Sequence, residues 1–252
     1  MIIQAAKSIL FSLQFLTVLP IRFKKVDKEM AADSLIFFPL SGAVIGLLLI
    51  LLFNALFICN FSFLTIDIIV IVALIILTGG IHLDGLSDTF DAFFSAKKKE
   101  EILLLMRDPH AGVMGTLAVI SVLLLKIGLL YSADFRSSGI SLFLMCVLSR
   151  WAIVLLMCFF PYARKEGKAK EFIEGAKFNK FVLSTFLCIV LVFVFSKTTG
   201  LIIMAFIGLV TYFFGKFSQN KIGGITGDII GATNEINEVL VLLSINILER
   251  IN

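Results

Sequence analysis

The amino-acid sequence predicts an all-α integral membrane protein, a bundle of about six to seven transmembrane helices with an N-terminal half-buried or interfacial helix. Of the 252 residues, 59% are hydrophobic and only 16% are charged, and the mean hydropathy is +1.05. These values lie far outside the range of soluble domains. The apolar runs are continuous, whereas the strands of a membrane barrel alternate apolar and polar residues. We expect one polytopic membrane domain over residues 1–252.

Six apolar stretches are predicted to be spans because each approaches the length needed to cross a bilayer. A seventh, Val239–Leu248, is short, and we interpret it as a tilted, partly buried or interfacial helix. The N-terminal stretch Ile2–Ile21 is interrupted by polar residues and lacks a small-residue cleavage site, so we expect a half-buried or interfacial helix. The six predicted spans are Leu35–Ile58, Leu64–Leu77, Val113–Tyr131, Ile140–Phe160, Phe181–Phe195 and Leu201–Phe214.

The connections between these spans alternate in charge. By the positive-inside rule, the four basic connections lie in the cytoplasm and the sparsely charged ones on the other side of the bilayer. Orientation explains the net charge of +4, and a lipid bilayer and no nucleic acid is the expected partner. Orientation also accounts for the basic stretch Arg164–Lys180, and attraction of anionic lipid or phosphorylated substrate is the alternative for it. No oligomeric state is assigned. The basic residues are Arg22, Lys24, Lys25 and Lys28; Lys97, Lys98, Lys99 and Arg107; Arg164, Lys165, Lys168, Lys170, Lys177 and Lys180; and Lys216 and Lys221.

Three carboxylates, Asp84, Asp88 and Asp91, follow directly on the second span. At positions i, i+4 and i+7 they fall within about 60° of one another on a helix, so they repel unless a cation lies between them. A solvated helix face is the alternative, but no Lys or Arg lies between Ile81 and Ala96. We predict that Asp84 and Asp88 bind a divalent metal, with Asp91 as a third ligand or a base.

The same connection, between the second and third predicted spans, carries four further candidates. Asp108 could complete the metal shell, or it could cap a helix that begins at Pro109. Arg107 suits a diphosphate oxygen, although an interfacial arginine is an equal alternative. His82 and His110, the two histidines of the chain, could act as ligand or proton shuttle, or could simply hydrogen-bond to a neighbouring carboxylate or carbonyl.

A second acidic, glycine-containing segment runs from Gly223 to Glu238 and is predicted to lie on the same side of the membrane. Its glycines permit a tight turn whose backbone N–H groups could hold phosphate. An ordinary amphipathic helix start is the alternative. We expect both acidic segments to meet in one cytoplasm-facing cavity. The candidates in this segment are Gly223, Gly224, Thr226, Gly227, Asp228, Asn234, Glu235 and Glu238.

Several motifs taken together resemble the cobalamin synthase family, the adenosylcobinamide-GDP ribazoletransferases. The resemblance covers essentially the whole chain, and the paired elements H-L-D-G-L-x-D-T-x-D and G-G-x-T-G-D are its most specific part. The motifs are Phe15–Pro20, Phe38–Gly42, Gly79–Asp91, Met106–Asp108 with Gly112 and Gly115, Ser149–Arg150, and Gly223–Asp228 with Gly231, Ala232 and Glu235.

The resemblance implies a bacterial inner-membrane, multi-pass transferase whose active site faces the cytoplasm. It would join adenosylcobinamide-GDP to α-ribazole or its phosphate, release GMP and require Mg²⁺. The residue chemistry fits, because a diphosphate must be held and a ribose hydroxyl aimed at phosphorus. The resemblance implies provisional roles for these residues. Asp84, Asp88 and Asp108 would bind the metal and the diphosphate, with Asp91 as a fourth member, and Asp228 and Glu235 would bind the nucleoside or deprotonate the attacking hydroxyl. The residues expected to contact substrate are His82, Arg107, His110, Arg150, Asn234 and Glu238.

Two other functional classes compete with this interpretation. The CDP-alcohol phosphotransferases use an Asp-rich membrane motif, but Ile81 stands where their D-x-x-D-G-x-x-A-R pattern requires an Asp. A cation-coupled transporter would use acids at half-helix ends. Both acidic segments lie on one predicted side, which argues against alternating access.

Overall fold

The structure, a computed structural model, describes residues 2–21, 23, 28–167 and 169–251. Every regular element in these ranges is a helix, and the one β-bridge joins Tyr162 to Ile225, so the all-α prediction is confirmed. The basic residues Arg22, Lys24, Lys25 and Lys168, used above for orientation, lie outside these ranges. The helices are α1 (Ile2–Leu16), α2 (Lys28–Ser34), α3 (Phe38–Ile58), α4 (Phe63–Thr78), α5 (Ile81–Phe93), α6 (Lys99–Leu105), α7 (Val113–Tyr131), α8 (Phe135–Phe159), α9 (Lys170–Gly175), α10 (Phe178–Ile222) and α11 (Gly227–Ile251).

Four helical stretches in the described part of the chain are long and apolar enough to cross a membrane. They are Lys28–Ile58, which joins α2 to α3 through a short 3-10 turn, Val113–Tyr131, Ser137–Phe159 and Phe178–Ile222. Helices α4 and α5 pass the same test only together, and they are bent by 89° at the residues between them. The protein is therefore a multi-pass membrane protein, as its composition predicts.

Helix α10 is a hairpin of two arms, 178–196 and 198–222. Lys197 has φ 49° and ψ −135°, which no helix accommodates. A Cβ added at Gly200 would lie 2.6 Å from a methyl carbon of Val192, eight residues earlier, which requires the chain to reverse. Trp151 of α8 bonds to Thr185 at 3.0 Å in one arm and packs on Gly208 in the other. The two runs predicted in this region are thus separate helices side by side.

Helix α11 extends farther than the predicted run Val239–Leu248. Its first residues lie beside α5, and its last turns share a cavity with Asp134 at the start of α8 and Ser196 at the turn of α10. Twenty-five residues rise about 37 Å, enough to cross a bilayer. Most residues of α11 between Ile229 and Asn246 are buried, so the helix is partly buried, which is one of the predicted alternatives. The acidic residues that made the first half look too polar are surrounded by other helices.

Helix α8 is the centre of the bundle and is buried almost all around. From Leu142 to Leu156 its side chains are nearly inaccessible, because α3, α10 and α11 pack on different sides of it. Gly42 and Gly46 let α3 approach α8 closely: a Cβ added at Gly46 would lie 2.9 Å from the Cα of Phe143. This close packing makes α8 a rigid support for the site.

Helix α1 is half-buried, as predicted. Phe11 and Leu16 are buried, whereas Ile3 and Leu10 are exposed. The ring of Phe11 stacks on that of Phe172 in α9 at 5.7 Å. Helix α1 thereby covers one side of the bundle at the end where the basic connections lie.

Candidate active site

Two glycines turn the chain from α4 into α5. Gly79 and Gly80 have φ of 65° and 68°, a left-handed conformation that a residue with a Cβ rarely adopts. The resulting 89° bend swings α5 across the end of the bundle instead of prolonging the span. The acidic stripe of α5 is therefore held at the mouth of the bundle.

Helices α5 and α11 touch through glycines. A Cβ added at Gly85 would lie 2.8 Å from the carbonyl oxygen of Asp228, and one at Gly231 would lie 3.1 Å from that of His82. Because neither position carries a side chain, the two backbones meet. This contact brings together the two acidic segments, as the sequence predicts.

A cavity of about 310 Å³ lies at this contact. Asp84 and His82 line it from α5, Asp228 and Gly227 from α11, and Tyr162 and Arg164 from the loop between α8 and α9. Its volume is at the lower end for small-molecule sites. It can hold a diphosphate and part of a nucleoside, but a large ring system would remain at its mouth.

The carboxylates in and beside this cavity are close enough to repel one another. Partial burial and the nearby charges of Asp84 and Asp228 together raise the pKa of Asp88 to about 7, although the charge of Arg164 acts in the opposite direction. Asp84 itself is exposed to the cavity. Such a cluster favours a cation.

The donor set fits magnesium in one particular way. In the described ranges, no three His, Cys, Asp or Glu side chains are arranged to hold a metal ion between them. Magnesium commonly takes one or two carboxylates and completes its shell with water and substrate phosphate oxygens. Asp84 and Asp88 could supply that carboxylate pair, and a bound diphosphate the remainder.

Asp91 anchors the start of α7. Its two carboxylate oxygens accept the backbone N–H groups of Gly112 and Gly115, at 2.7 and 2.8 Å. Any side chain at either glycine would collide with this carboxylate. The structure thus gives Asp91 a capping role at a helix N-terminus. Its predicted role as metal ligand or base stays a prediction.

Asp108 and His110 form a local pair away from the cavity. The Asp108 carboxylate accepts the backbone N–H of His110 at 3.0 Å and lies 2.7 Å from Nδ1 of its ring, and this contact lowers the pKa of Asp108. Helix α7 begins at Val113, so the alternative of Asp108 as its cap is wrong. The structure does not place Asp108 with Asp84 and Asp88. Its metal role and the substrate role of His110 stay predictions, as does that of Arg107, which is exposed at the surface.

A buried network of four charges lies behind the cavity. Nζ of Lys126, in α7, is 2.6 Å from Glu235 and also bonds to Glu238, which in turn accepts a bond from Arg150 of α8. Asn234 donates to Glu238 at 2.9 Å. The four charged side chains are at most 7% exposed and sum to zero. Such groups are tolerated in a membrane interior only when they are paired.

This network changes the interpretation of four predicted site residues. Glu235, Glu238, Asn234 and Arg150 do not line the cavity. Glu235 is committed to Lys126, which leaves Asp228 as the candidate base. Sequence reasoning overlooked Lys126, although a lone Lys within an apolar span is itself a signal.

His82 lies between the cavity and the network. It lines the cavity, is buried, and is close enough to Arg150, Glu238 and Lys126 to feel their charges. Its Nδ1 has no hydrogen-bond partner among the described residues. The simple alternative of a histidine bonded to a neighbouring carboxylate is therefore not what the structure shows. A substrate contact stays a prediction.

The glycine turn of the second segment ties the basic loop to α11. Gly223, with φ 84°, ends α10, and any side chain at Gly224 would collide with the carbonyl of Pro161. Ile225 donates its N–H to that carbonyl at 2.8 Å. Thr226 is buried, and its hydroxyl accepts the N–H of Ile229 at 3.3 Å to cap α11. Of this turn, Gly227 lines the cavity, and phosphate binding by the others stays a prediction.

Arg164 and Tyr162 are cavity residues that sequence reasoning missed. The sequence accounts for the basic stretch from Arg164 by membrane orientation, with attraction of anionic lipid or phosphorylated substrate as the alternative, and it does not single out Arg164 or Tyr162. In the structure, Nη2 of Arg164 lies 2.6 Å from Oδ2 of Asp228, and these side chains are 12% and 18% exposed. No local pattern separates this arginine from the neighbouring lysines, because the bridge between Tyr162 and Ile225 places it.

Comparison with known proteins is consistent with this site. The cobalamin-5-phosphate synthase family model matches residues 8–246. The chain is 36% identical over 245 residues to an adenosylcobinamide-GDP ribazoletransferase from Thermodesulfovibrio yellowstonii, covering 93% of this chain and 94% of the relative. It is 38% identical over 237 residues to the enzyme of that name from Chlorobaculum tepidum, covering 92% of each. No solved structure matches.

These matches extend over nearly the whole chain and include both acidic segments. They favour the resemblance drawn from the motifs over a CDP-alcohol phosphotransferase or a transporter. The chain belongs to the cobalamin-5-phosphate synthase family and is a transferase of cobalamin synthesis.

Proposed function

We propose that the protein joins adenosylcobinamide-GDP to α-ribazole or α-ribazole phosphate in a Mg²⁺-dependent reaction that releases GMP. The product is adenosylcobalamin or its phosphate. The single observation that carries this proposal is the cavity where Asp84 of α5 and Asp228 of α11 meet, far apart in sequence and adjacent in space. The two relatives described above are named adenosylcobinamide-GDP ribazoletransferases, and that name supports the transfer of a ribazole group to adenosylcobinamide-GDP.

The reaction is a displacement at phosphorus. A ribose hydroxyl of α-ribazole loses its proton and forms a new P–O bond to the phosphorus attached to cobinamide. The bond between that phosphorus and the bridging oxygen breaks, and GMP leaves with the bridging oxygen and the electron pair of the broken bond. Such transfers depend on positioning and on charge stabilisation more than on covalent chemistry. The small, charged cavity would admit the diphosphate and leave the corrin ring at its mouth.

The residues of the cavity divide this work. Asp84 and Asp88 would hold Mg²⁺, which when bound neutralises charge on the diphosphate and its leaving group. Asp228 would accept the proton of the attacking hydroxyl. The apolar side chains of Met157 and Ile230 line the cavity and limit water in it.

The direct test is turnover by the purified full-length protein in detergent or lipid nanodiscs. Adenosylcobinamide-GDP, α-ribazole and Mg²⁺ are supplied, and GMP and cobalamin are quantified by chromatography. We expect equimolar products, loss of activity with EDTA, and recovery with Mg²⁺.

The variant Asp84→Asn removes one carboxylate from the predicted metal pair while keeping its shape. We expect turnover to fall about 100- to 1,000-fold, since one charge-stabilising contact at such a site is worth about 2.7–4 kcal/mol. Asp134→Asn is the matched control, because Asp134 lies at the opposite end of the bundle. Normal turnover by Asp84→Asn would refute the assignment.

We also propose that the protein resides in a bacterial inner membrane with the cavity facing the cytoplasm. Lys97, Lys98, Lys99 and Lys165 lie at the end of the bundle where the cavity opens. The positive-inside rule assigns that end to the cytoplasm.

A further inference from the structure

The guanidinium of Arg164 is held in the cavity with donors unused. One nitrogen, Nη2, lies 2.6 Å from Asp228. The Nε is buried and has no hydrogen-bond partner among the described residues. A guanidinium carries five N–H donors in a fixed plane, suited to two oxygens of a phosphate at once. An arginine bound to one carboxylate oxygen therefore retains capacity for an anion.

The loop that carries Arg164 is tied by its backbone to the residues just before α11. Ala163 donates its N–H to the carbonyl of Ile225 at 2.8 Å, directly before Arg164. Ile225 lies three residues before Asp228, so one backbone contact positions both members of the ion pair. The guanidinium is thus aimed at the cavity by the fold.

We propose that Arg164 binds the substrate diphosphate and that, in doing so, it leaves Asp228 free to act as the base. This inference rests on the proposed function. In the free protein, Arg164 and Asp228 are bound to each other, so neither is available to the substrate. The ion pair also reduces the repulsion of Asp84 and Asp88 by Asp228, because Arg164 neutralises the charge of that carboxylate. An incoming diphosphate carries more charge than a carboxylate and offers two oxygens, so it competes for the guanidinium. Substrate binding and release of the base are then one event.

The first test separates diphosphate binding from a structural role. Adenosylcobinamide-GDP and adenosylcobinamide, which lacks the GDP group, are each titrated onto the full-length protein in EDTA, and binding is followed by equilibrium dialysis. Arg164→Gln should weaken binding of the first ligand about 10- to 100-fold, the range expected for a lost charge-assisted contact, and leave the second unchanged. Lys165→Gln is the matched control, since Lys165 is exposed and adjacent and does not line the cavity.

The second test uses the other member of the pair. Asp228→Asn removes the competitor for Arg164, so we expect it to bind adenosylcobinamide-GDP at least as tightly as the unchanged protein, while its turnover falls. If Arg164 served only to hold Asp228 in place, the two variants would lose affinity for both ligands alike. Arg164→Lys should recover little, because an ammonium cannot bind two oxygens in one plane.

The outcomes distinguish this inference from the function on which it rests. No GMP release by the unchanged protein would refute the proposed function. Normal turnover by the unchanged protein, with Arg164→Gln still preferring adenosylcobinamide-GDP over adenosylcobinamide by the full margin, would overturn the role of Arg164 alone.

Discussion

Replacing Lys126 by methionine would leave two buried glutamates with one cation, Arg150. In the structure, the charges of Lys126 and Arg150 balance those of Glu235 and Glu238, and Lys126 is 2% exposed. After the replacement, Glu238 keeps Arg150, whereas the nearest remaining donor to Glu235 is Asn234 at 3.4 Å. One buried carboxylate is then uncompensated.

The expected cost is large. Breaking a buried ion pair by removing one partner costs about 3–5 kcal/mol, whereas replacing both partners by neutral groups of similar volume is often nearly neutral. Lys126→Met should therefore lower the free energy of unfolding by about 3–5 kcal/mol. The double variant Lys126→Met, Glu235→Gln restores the charge balance, and we expect it to recover most of that loss.

The assay uses the single tryptophan of the chain. Trp151 is buried in α8 and bonded to Thr185, so its fluorescence reports the packing of α8 on α10. Unfolding is measured in mixed micelles with increasing sodium dodecyl sulfate. Lys216→Met, at an exposed lysine, is the control and should change stability by less than about 0.5 kcal/mol. If Lys126→Met matches this control, or if the double variant is no more stable than the single one, the electrostatic reasoning is refuted.

Two further perturbations test the geometry of the site and the course of the chain. Gly85→Ala would place a Cβ 2.8 Å from the carbonyl oxygen of Asp228, so we expect GMP release to fall at least 10-fold. The control Gly128→Ala should retain activity, because a Cβ at Gly128 meets no atom within 4 Å. Equal activities of the two variants would contradict the close contact of α5 and α11. Helix α11 is long enough to cross a bilayer, so we expect a reporter fused after Asn252 to signal outside the cytoplasm and one inserted near Lys98 to signal inside it. Both reporters on the same side would contradict that course.

The elements of the fold were predictable where the signal is local. The predicted run Val113–Tyr131 coincides with α7, and α10 separates into two arms at the break implied between the two predicted runs. The hydropathy of a span and the glycines of a turn are properties of neighbouring residues, so they can be recognised directly in the sequence. The predicted run Val239–Leu248 begins well after the start of α11, because Glu235 and Glu238 are polar in sequence and are neutralised only by residues over 80 positions away.

The candidate site was predictable only in part, because short motifs identify its acids but not the side chains that each acid contacts. Asp84 and Asp228 were expected to meet, and they line one cavity. Asp108 was grouped with them on chemistry alone, and the structure directs its carboxylate to His110. Arg164 was indistinguishable from the orienting basic residues around it.

The sequence by itself determines the helical class, the membrane environment, the sidedness expected from charge and the family likeness, because each of these depends on composition or on short motifs. Contacts between distant helices decide which acids share a cavity, which acids are neutralised inside the bundle and which arginine lines the cavity. Those contacts are set by glycines that let backbones touch and by buried charges that must be paired, and neither condition can be evaluated until the chain is folded.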